Sequence, residues 1–249
     1  MNKKSLKEDK QELIVRKENK IIPIQDDSFN INFMNNILFY DELMKFKENF
    51  IDFIKSVGRI GIQGYNEVAT GFLVKEGVIV TNSHVVHALG KNLKFYPKSE
   101  YQRGNSDIML PINEEPIYIE AGEVPDIAFL RIENYQSTTL DLAGDDYQYK
   151  ENTIIVTIGH PLYDGLTLSN QVMNPDSSGC KQIQPGSITN SEEKKFYHNC
   201  SVLKGNSGSP IFDMASGKVI GIHYHGDDGI NFAFKSSEIR RLMQEHKIF

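Results

Sequence analysis

Apolar and polar positions follow two rhythms along these 249 residues. Between 39 and 57, Phe39, Leu43, Met44, Phe46, Phe50, Phe53, Ile54 and Val57 recur at helical spacing, which gathers them on one face. Such a face has to be covered, and the body of the same chain is the simplest cover, ahead of a partner or a membrane. From Gly58 onward the texture becomes short β-type runs (RIGIQ, GFLV, VIVT, LKFYP, PIYIE, IAFLRI, TIIVTIG, VIGIHYH, NFAF) broken by Gly, Asn, Asp and Pro. Many short strands without regular helices between them predict an all-β, antiparallel barrel or sandwich. The last segment, SSEIRRLMQEHKIF over 236–249, opens on a Ser-Ser-Glu start signal and predicts a C-terminal helix. The first twenty residues mix seven Lys/Arg with four Asp/Glu and carry little periodicity, as a frayed helix or mobile tail would. The division expected is therefore an extension, 1–57, of tail plus amphipathic helix, followed by one β domain, 58–249.

Composition narrows the classes. With 39% hydrophobic residues and 14 Phe the chain can build a sizeable core, and its negative mean hydropathy argues against membrane residence. The net charge of −6 arises from 27 basic and 33 acidic residues, so no basic field exists to hold nucleic acid. The longest apolar stretch near the start is Leu13-Ile14-Val15, far short of a secretory signal, and a cytoplasmic location is expected. Cys180 and Cys200 lie symmetrically about Asn190 in a strand-turn-strand pattern that lets them face each other; free thiols are the expected state in that compartment.

Three segments carry candidate chemistry in this order: VIVTNSHVVHA at 78–88, VPDIAFLRI at 124–132 and LKGNSGSPIFD at 203–213. Each is ordinary alone; the combination is not. A serine hydroxyl is a poor nucleophile unless a base takes its proton, and that base needs a buried acceptor to fix its tautomer. Ser207, His84 and Asp126 can supply those roles. Gly205 and Gly208 allow a tight turn with backbone N–H groups pointing inward, as a tetrahedral oxyanion requires. The order His, Asp, Ser differs from that of α/β-hydrolases, and GNSGSP lacks their GxSxG elbow.

Residues from about 58 to 249 resemble the chymotrypsin-fold (trypsin-like) serine peptidases, particularly bacterial glutamyl endopeptidases and secondarily the HtrA proteases. TNSHVV resembles the family's histidine motif, PDIAFLRI its aspartate motif, GNSGSPIF its nucleophile motif, and VIGIHYHG the strand bordering its substrate groove. The resemblance implies two six-stranded antiparallel β-barrels, with His84 and Asp126 from the first and Ser207 from the second. It also implies an oxyanion hole from the N–H groups of Gly205 and Ser207, and no cofactor or metal. Asn206 stands where digestive members carry the Asp that pairs with a new amino terminus, so activation by that salt bridge is not expected. HtrA proteases carry a PDZ domain after the peptidase domain, whereas this sequence reaches Phe249 directly after its final helix; a full HtrA architecture is not expected.

In glutamyl endopeptidases the residue at the position of His223 helps bind the acidic side chain, together with a small hydroxyl residue just before the nucleophile. Here that second position is Val202, which cannot donate, although Ser201 beside it can. Tyr224 follows His223 on the same groove strand. Glutamate preference is thus left open. The stretch from His223 to Gly229 invites a metal reading, but strand alternation puts His223 and His225 on one side and the acids in a turn. His87, His160 and His198 have no recognisable partners and read as structural or surface residues. The activity expected is a serine endopeptidase acting on protein or peptide, of narrow specificity or under an activating partner. Its rivals are a silent protease-fold binding module and an esterase on non-peptide substrates.

Overall fold

The computed structural model describes residues 20–31, 37–65, 67–101, 108–119, 125–163, 175–227 and 230–248. The charged residues 1–19, read above as a tail, lie outside that set. Two antiparallel sheets of seven strands each form the body. The first comprises β2 (Val57–Gly61), β3 (Val68–Lys75), β4 (Val78–Thr81), β5 (Lys94–Tyr96), β6 (Leu110–Pro111), β7 (Tyr118–Ile119) and β8 (Ala128–Arg131), in the order β6-β5-β2-β3-β4-β8-β7. It curls into a half-barrel. The second contains β1 (Ile22–Pro23), β9 (Ile154–Gly159), β10 (Gln182–Ser191), β11 (Lys195–His198), β12 (Pro210–Asp213), β13 (Val219–Asp227) and β14 (Ile230–Lys235). Here β10, β11, β14, β13, β12 and β9 close a six-stranded ring through the β9–β10 ladder, and β1 pairs onto β10 outside it. The two-barrel arrangement expected from the sequence is present, with full closure in the second half.

Strands such as β4 (VIVT) are buried on both faces and so read as continuous apolar runs. Val78 and Val80 join a large cluster that spans both halves, with Phe72, Phe129, Phe212 and Phe234, while Ile79 faces the first half's own core beside Ile60, Leu73 and Phe95. A third cluster, including Ile155, Ile188, Phe196, Ile211 and Ile220, fills the second barrel.

The helix expected over 39–57 is α1 (Tyr40–Phe50), which passes into a 3₁₀ turn at Ile51–Ser56 and then into β2. Leu43 and Phe46 are fully buried, and Phe46 meets the ring of Phe212 at 5.7 Å, so the chain's own second barrel covers the apolar face. Residues 20–31 are equally integral. Ile22, Ile24, Phe29 and Ile31 sit in the shared core, and Pro23, which has no N–H to offer, lies on the edge strand β1. The described part of the extension is therefore continuous with the two-sheet body. The last helix, α3 (Ser236–Glu245), docks Ile239 and Leu242 against the same core.

Candidate active site

The short helix α2 (Ser83–Leu89) follows β4 and presents His84 in its first turn. Its neighbours in the motif hold the aspartate segment by its backbone. The Asn82 amide donates to the carbonyl of Asp126 at 2.8 Å, and the Ser83 hydroxyl donates to that of Ile127 at 2.7 Å. This grip brings the Asp126 carboxylate to His84: Oδ2 lies 2.5 Å from Nδ1, and Oδ1 accepts the His84 backbone N–H at 2.9 Å. Asp126 is 13% exposed and His84 43%, so the acceptor is sheltered while the imidazole reaches the cleft. With Nδ1–H committed to the carboxylate, Nε2 is left as the basic nitrogen.

Ser207 lies in the loop before β12, whose carbonyls are held in succession. Lys204 O accepts Leu162 N–H at 2.7 Å, Gly205 O accepts the Thr70 hydroxyl at 2.9 Å, Asn206 O accepts Ser209 N–H at 2.9 Å and Ser207 O accepts Thr70 N–H at 2.9 Å. In a trans peptide the N–H points opposite its C=O. The planes 204–205 and 206–207 therefore turn the N–H groups of Gly205 and Ser207 away from those partners. Gly205 has φ 96° and Gly208 φ 86°, both in the left-handed region, and a Cβ on Gly208 would meet the Thr70 carbonyl at 2.0 Å. The two glycines of GNSG are thus required by conformation. Ser207, His84 and Gly205 line one cavity of about 220 Å³ with Val68, Ala69 and Val85.

His223 is tied to the Ser207 loop from β13: its carbonyl accepts Gly208 N–H and its N–H donates to Ser209 O, both at 2.9 Å. Its ring is buried and lies 3.2 Å from Nε2 of His198. Burial, aided by His225 and His84, pushes His223 down to about 3, so the ring is neutral near pH 7. His198, read above as partnerless, is therefore the group that backs His223. His223 and His225 do not share a face: the β13–β14 register shifts between them, and the bulge leaves His223 buried and His225 exposed. Tyr224 is half-buried and stacked on Phe234 at 4.3 Å. Val202 packs into the interior of the second barrel and Ser201 is fully buried beside it. Cys200 is buried at the backbone of Gly186 and Cys180 precedes β10 near Asp176; no disulfide joins them, because the hairpin register pairs Ile188 with His198 and does not align the two thiols.

Two residues of this site carried no signal in the sequence. Thr70 on β3 and His160 after β9 contact the Ser207 loop, with the His160 N–H donating to Thr70 Oγ1 at 3.1 Å and Nδ1 at 3.3 Å from the same oxygen. Complete burial, with the charges of Lys181 and Arg59, holds His160 well below the usual imidazole range. Among the described residues no group of three or more His, Cys, Asp and Glu side chains is arranged to hold a metal ion, and no helix is long and apolar enough to cross a membrane.

Residues 69–222, which include His84, Asp126 and Ser207, match the model of the trypsin-like peptidase domain. The chain belongs to that family. Trypsin-like relatives include the serine protease HTRA1 of Xenopus laevis, 28% identical over 178 residues, covering 71% of this chain and 35% of the relative. A probable periplasmic serine endoprotease DegP-like of Brucella suis is 28% identical over 189 residues, covering 71% and 32%. The chain thus spans about a third of the length of these curated relatives. Among solved structures, the Rv3671c protease of M. tuberculosis in its active form superposes with a TM-score of 0.56 at 19% identity, over 77% of this chain and 81% of that one. Its inactive form gives 0.55 at 18% identity, over 78% and 89%. These two matches bear on the trypsin-like fold alone.

Proposed function

We propose that this trypsin-like domain is a serine endopeptidase working through an acyl-enzyme. The observation that carries the reading is the doubly bonded His84–Asp126 pair, whose His84 lines the same cavity as Ser207. In the proposed cycle Ser207 Oγ attacks the peptide carbonyl while His84 Nε2 takes its proton. The Gly205 and Ser207 N–H groups stabilise the oxyanion, and His84 then hands the proton to the leaving amine. Water repeats the sequence on the acyl-enzyme. Asp126 keeps Nε2 basic and stabilises the imidazolium.

Glutamate before the cut is the substrate preference we attach to this reading. What supports it is a neutral, buried His223 next to the nucleophile loop and backed by His198. An entering carboxylate would raise the affinity of that ring for a proton, so an acidic side chain gains both a hydrogen bond and a compensating charge there. Narrow substrate range is part of the same proposal, and rapid degradation of unrelated proteins would argue against it.

The test is incubation of wild type and Ser207→Ala with a diverse peptide library, with every cut mapped by mass spectrometry. Cleavage by the wild type alone supports the serine mechanism. Cuts after Leu or Ala but not Glu remove the glutamate preference, and silence from both proteins favours a binding module. Turnover of small esters with no peptide cleavage would favour an esterase.

A further inference from the structure

The hydrogen-bond geometry around Thr70 fixes where its proton points. Gly205 O, 2.9 Å away, can only accept, so the single hydroxyl proton of Thr70 goes there. The backbone N–H of His160 can only donate, and it uses one of the two lone pairs of Thr70 Oγ1. The second lone pair is then available to His160 Nδ1 at 3.3 Å, which requires the proton of the neutral ring to sit on Nδ1. Nε2 becomes a bare acceptor, consistent with its having no hydrogen-bond partner among the described residues.

We propose that Thr70 is a positioning residue for the oxyanion-binding loop, with His160, in its Nδ1–H tautomer, aiming the Thr70 hydroxyl at Gly205. The inference rests on the reading of Ser207 as nucleophile. Thr70 belongs to the first barrel, His160 and the loop to the second. Its hydroxyl holds Gly205 O and its N–H holds Ser207 O, so one residue clamps the carbonyls on both sides of Asn206. Gly205, without a Cβ and at φ 96°, is the place where the loop can most easily swing if the clamp is removed. A swing would misdirect the donors to the developing oxyanion without touching the side-chain pockets that bind substrate, so the effect falls on kcat.

Thr70→Val keeps the shape and the N–H bond to Ser207 and deletes only the hydroxyl. With kinetics normalised to active sites titrated by a fluorophosphonate, we expect kcat to fall about 10- to 100-fold with KM within twofold, since loss of an entire oxyanion donor costs about 10²–10³. Thr70→Ser should recover kcat to within about threefold, and His160→Phe, which keeps the backbone N–H, should lower kcat less than Thr70→Val. A Thr70→Val kcat within twofold of wild type, or a loss confined to KM, overturns the proposal. If Thr70→Val does not fold, a Thr70→Ser or His160→Phe pair that departs from this order overturns it. Wild type that neither cleaves nor reacts at Ser207 would refute the proposed function instead. The clamp is then judged by amide exchange in Thr70→Val, where unchanged protection at Asn206 and Gly208 overturns it.

Discussion

Asp126→Asn probes the paired geometry that the proposed mechanism depends on. Each carboxylate oxygen has a different N–H aimed at it, Oδ2 from the His84 ring and Oδ1 from the His84 backbone. Asparagine offers one oxygen and one NH₂, so it cannot satisfy both. If its oxygen takes the backbone N–H, the NH₂ faces Nδ1, the ring proton moves to Nε2, and the nitrogen proposed to take the Ser207 proton loses its lone pair. If its oxygen takes Nδ1–H, the NH₂ opposes the backbone N–H in a site only 13% exposed, and a buried donor pair pushes the side chain out of place. Either way the base is lost or misaligned. The expected fall in kcat is about 10³–10⁴, or ~4–5.5 kcal/mol in the barrier, with KM changed by a few-fold at most. The assay is steady-state hydrolysis of the best library peptide, with circular dichroism to check the fold. A folded variant whose kcat stays within tenfold of wild type would refute the assignment of Asp126.

Phe46→Ala should cost about 3–5 kcal/mol in urea unfolding, because Phe46 is fully buried and packs on Phe50 and Phe212 at 5.6 and 5.7 Å; a loss below about 1 kcal/mol would make α1 an appendage. Lys181 is buried, donates to Ile54 O at 2.9 Å and Pro97 O at 2.6 Å, and lies 3.9 Å from Glu100. Lys181→Met should destabilise by about 3–5 kcal/mol and be partly rescued by Glu100→Gln, whereas strictly additive effects in a double-mutant cycle would contradict the coupling. His160 and His223 both resist protonation when folded, so the unfolded chain binds more protons as pH falls from about 6.5 toward the value of about 3 that His223 reaches. Stability should therefore be level near pH 7.5 and decline below about 6.5, by up to ~1.4 kcal/mol per unit per group; a His223→Phe variant with an undiminished slope would refute this. Cys180, whose thiol burial pushes up, should react slowly with a thiol reagent in the native protein and Cys200 not until unfolding; equal rates would contradict the burial.

How far the sequence is readable depends on whether a residue acts through its own chemistry or through backbone geometry. His84, Asp126 and Ser207 stand in motifs where the proposed reaction dictates residue type, and the strands beside them are apolar runs, so the motifs and those strands could be picked out. Asn82 and Ser83 were visible inside TNSHVV but not interpretable, since each bonds a carbonyl forty-four residues away. Thr70 drew no reading, and His160 only that of a structural or surface residue, for the same reason: ninety residues separate them, and the Thr70 hydroxyl that His160 contacts reaches the still more distant Gly205 carbonyl. Period-two reasoning failed for His223 and His225 because a bulge inserts an unpaired residue, and bulges have no reliable signature in a run such as GIHYHG. The N-terminal strand escaped because two residues are too few to show a period, although the IIPI run containing it supplies three fully or nearly buried isoleucines.

The division of the site between two sheets sets a mechanical requirement that the polar contacts answer. His84 and Asp126 sit on segments of the first half and Ser207 on a loop of the second, so in the proposed mechanism a shift of one half against the other by about 1 Å would spoil proton transfer. Apolar packing between the halves supplies most of the attraction but tolerates small slides, because it has little directional preference. Hydrogen bonds to backbone carbonyls do not tolerate them. Thr70 reaches from the first half into the nucleophile loop, and Lys181, at the start of β10 in the second half, reaches back to Pro97 after β5 and to Ile54 before β2. Burying an ammonium there costs enough to push Lys181 down to about 8, a cost with no counterpart if the contact served only cohesion. A methionine of similar length would hold the halves together without fixing their register. On this argument the Lys181→Met, Glu100→Gln pair, even where stability is regained, should leave kcat depressed while Ser207 remains titratable, and full recovery of kcat would mean that apolar packing alone sets the alignment.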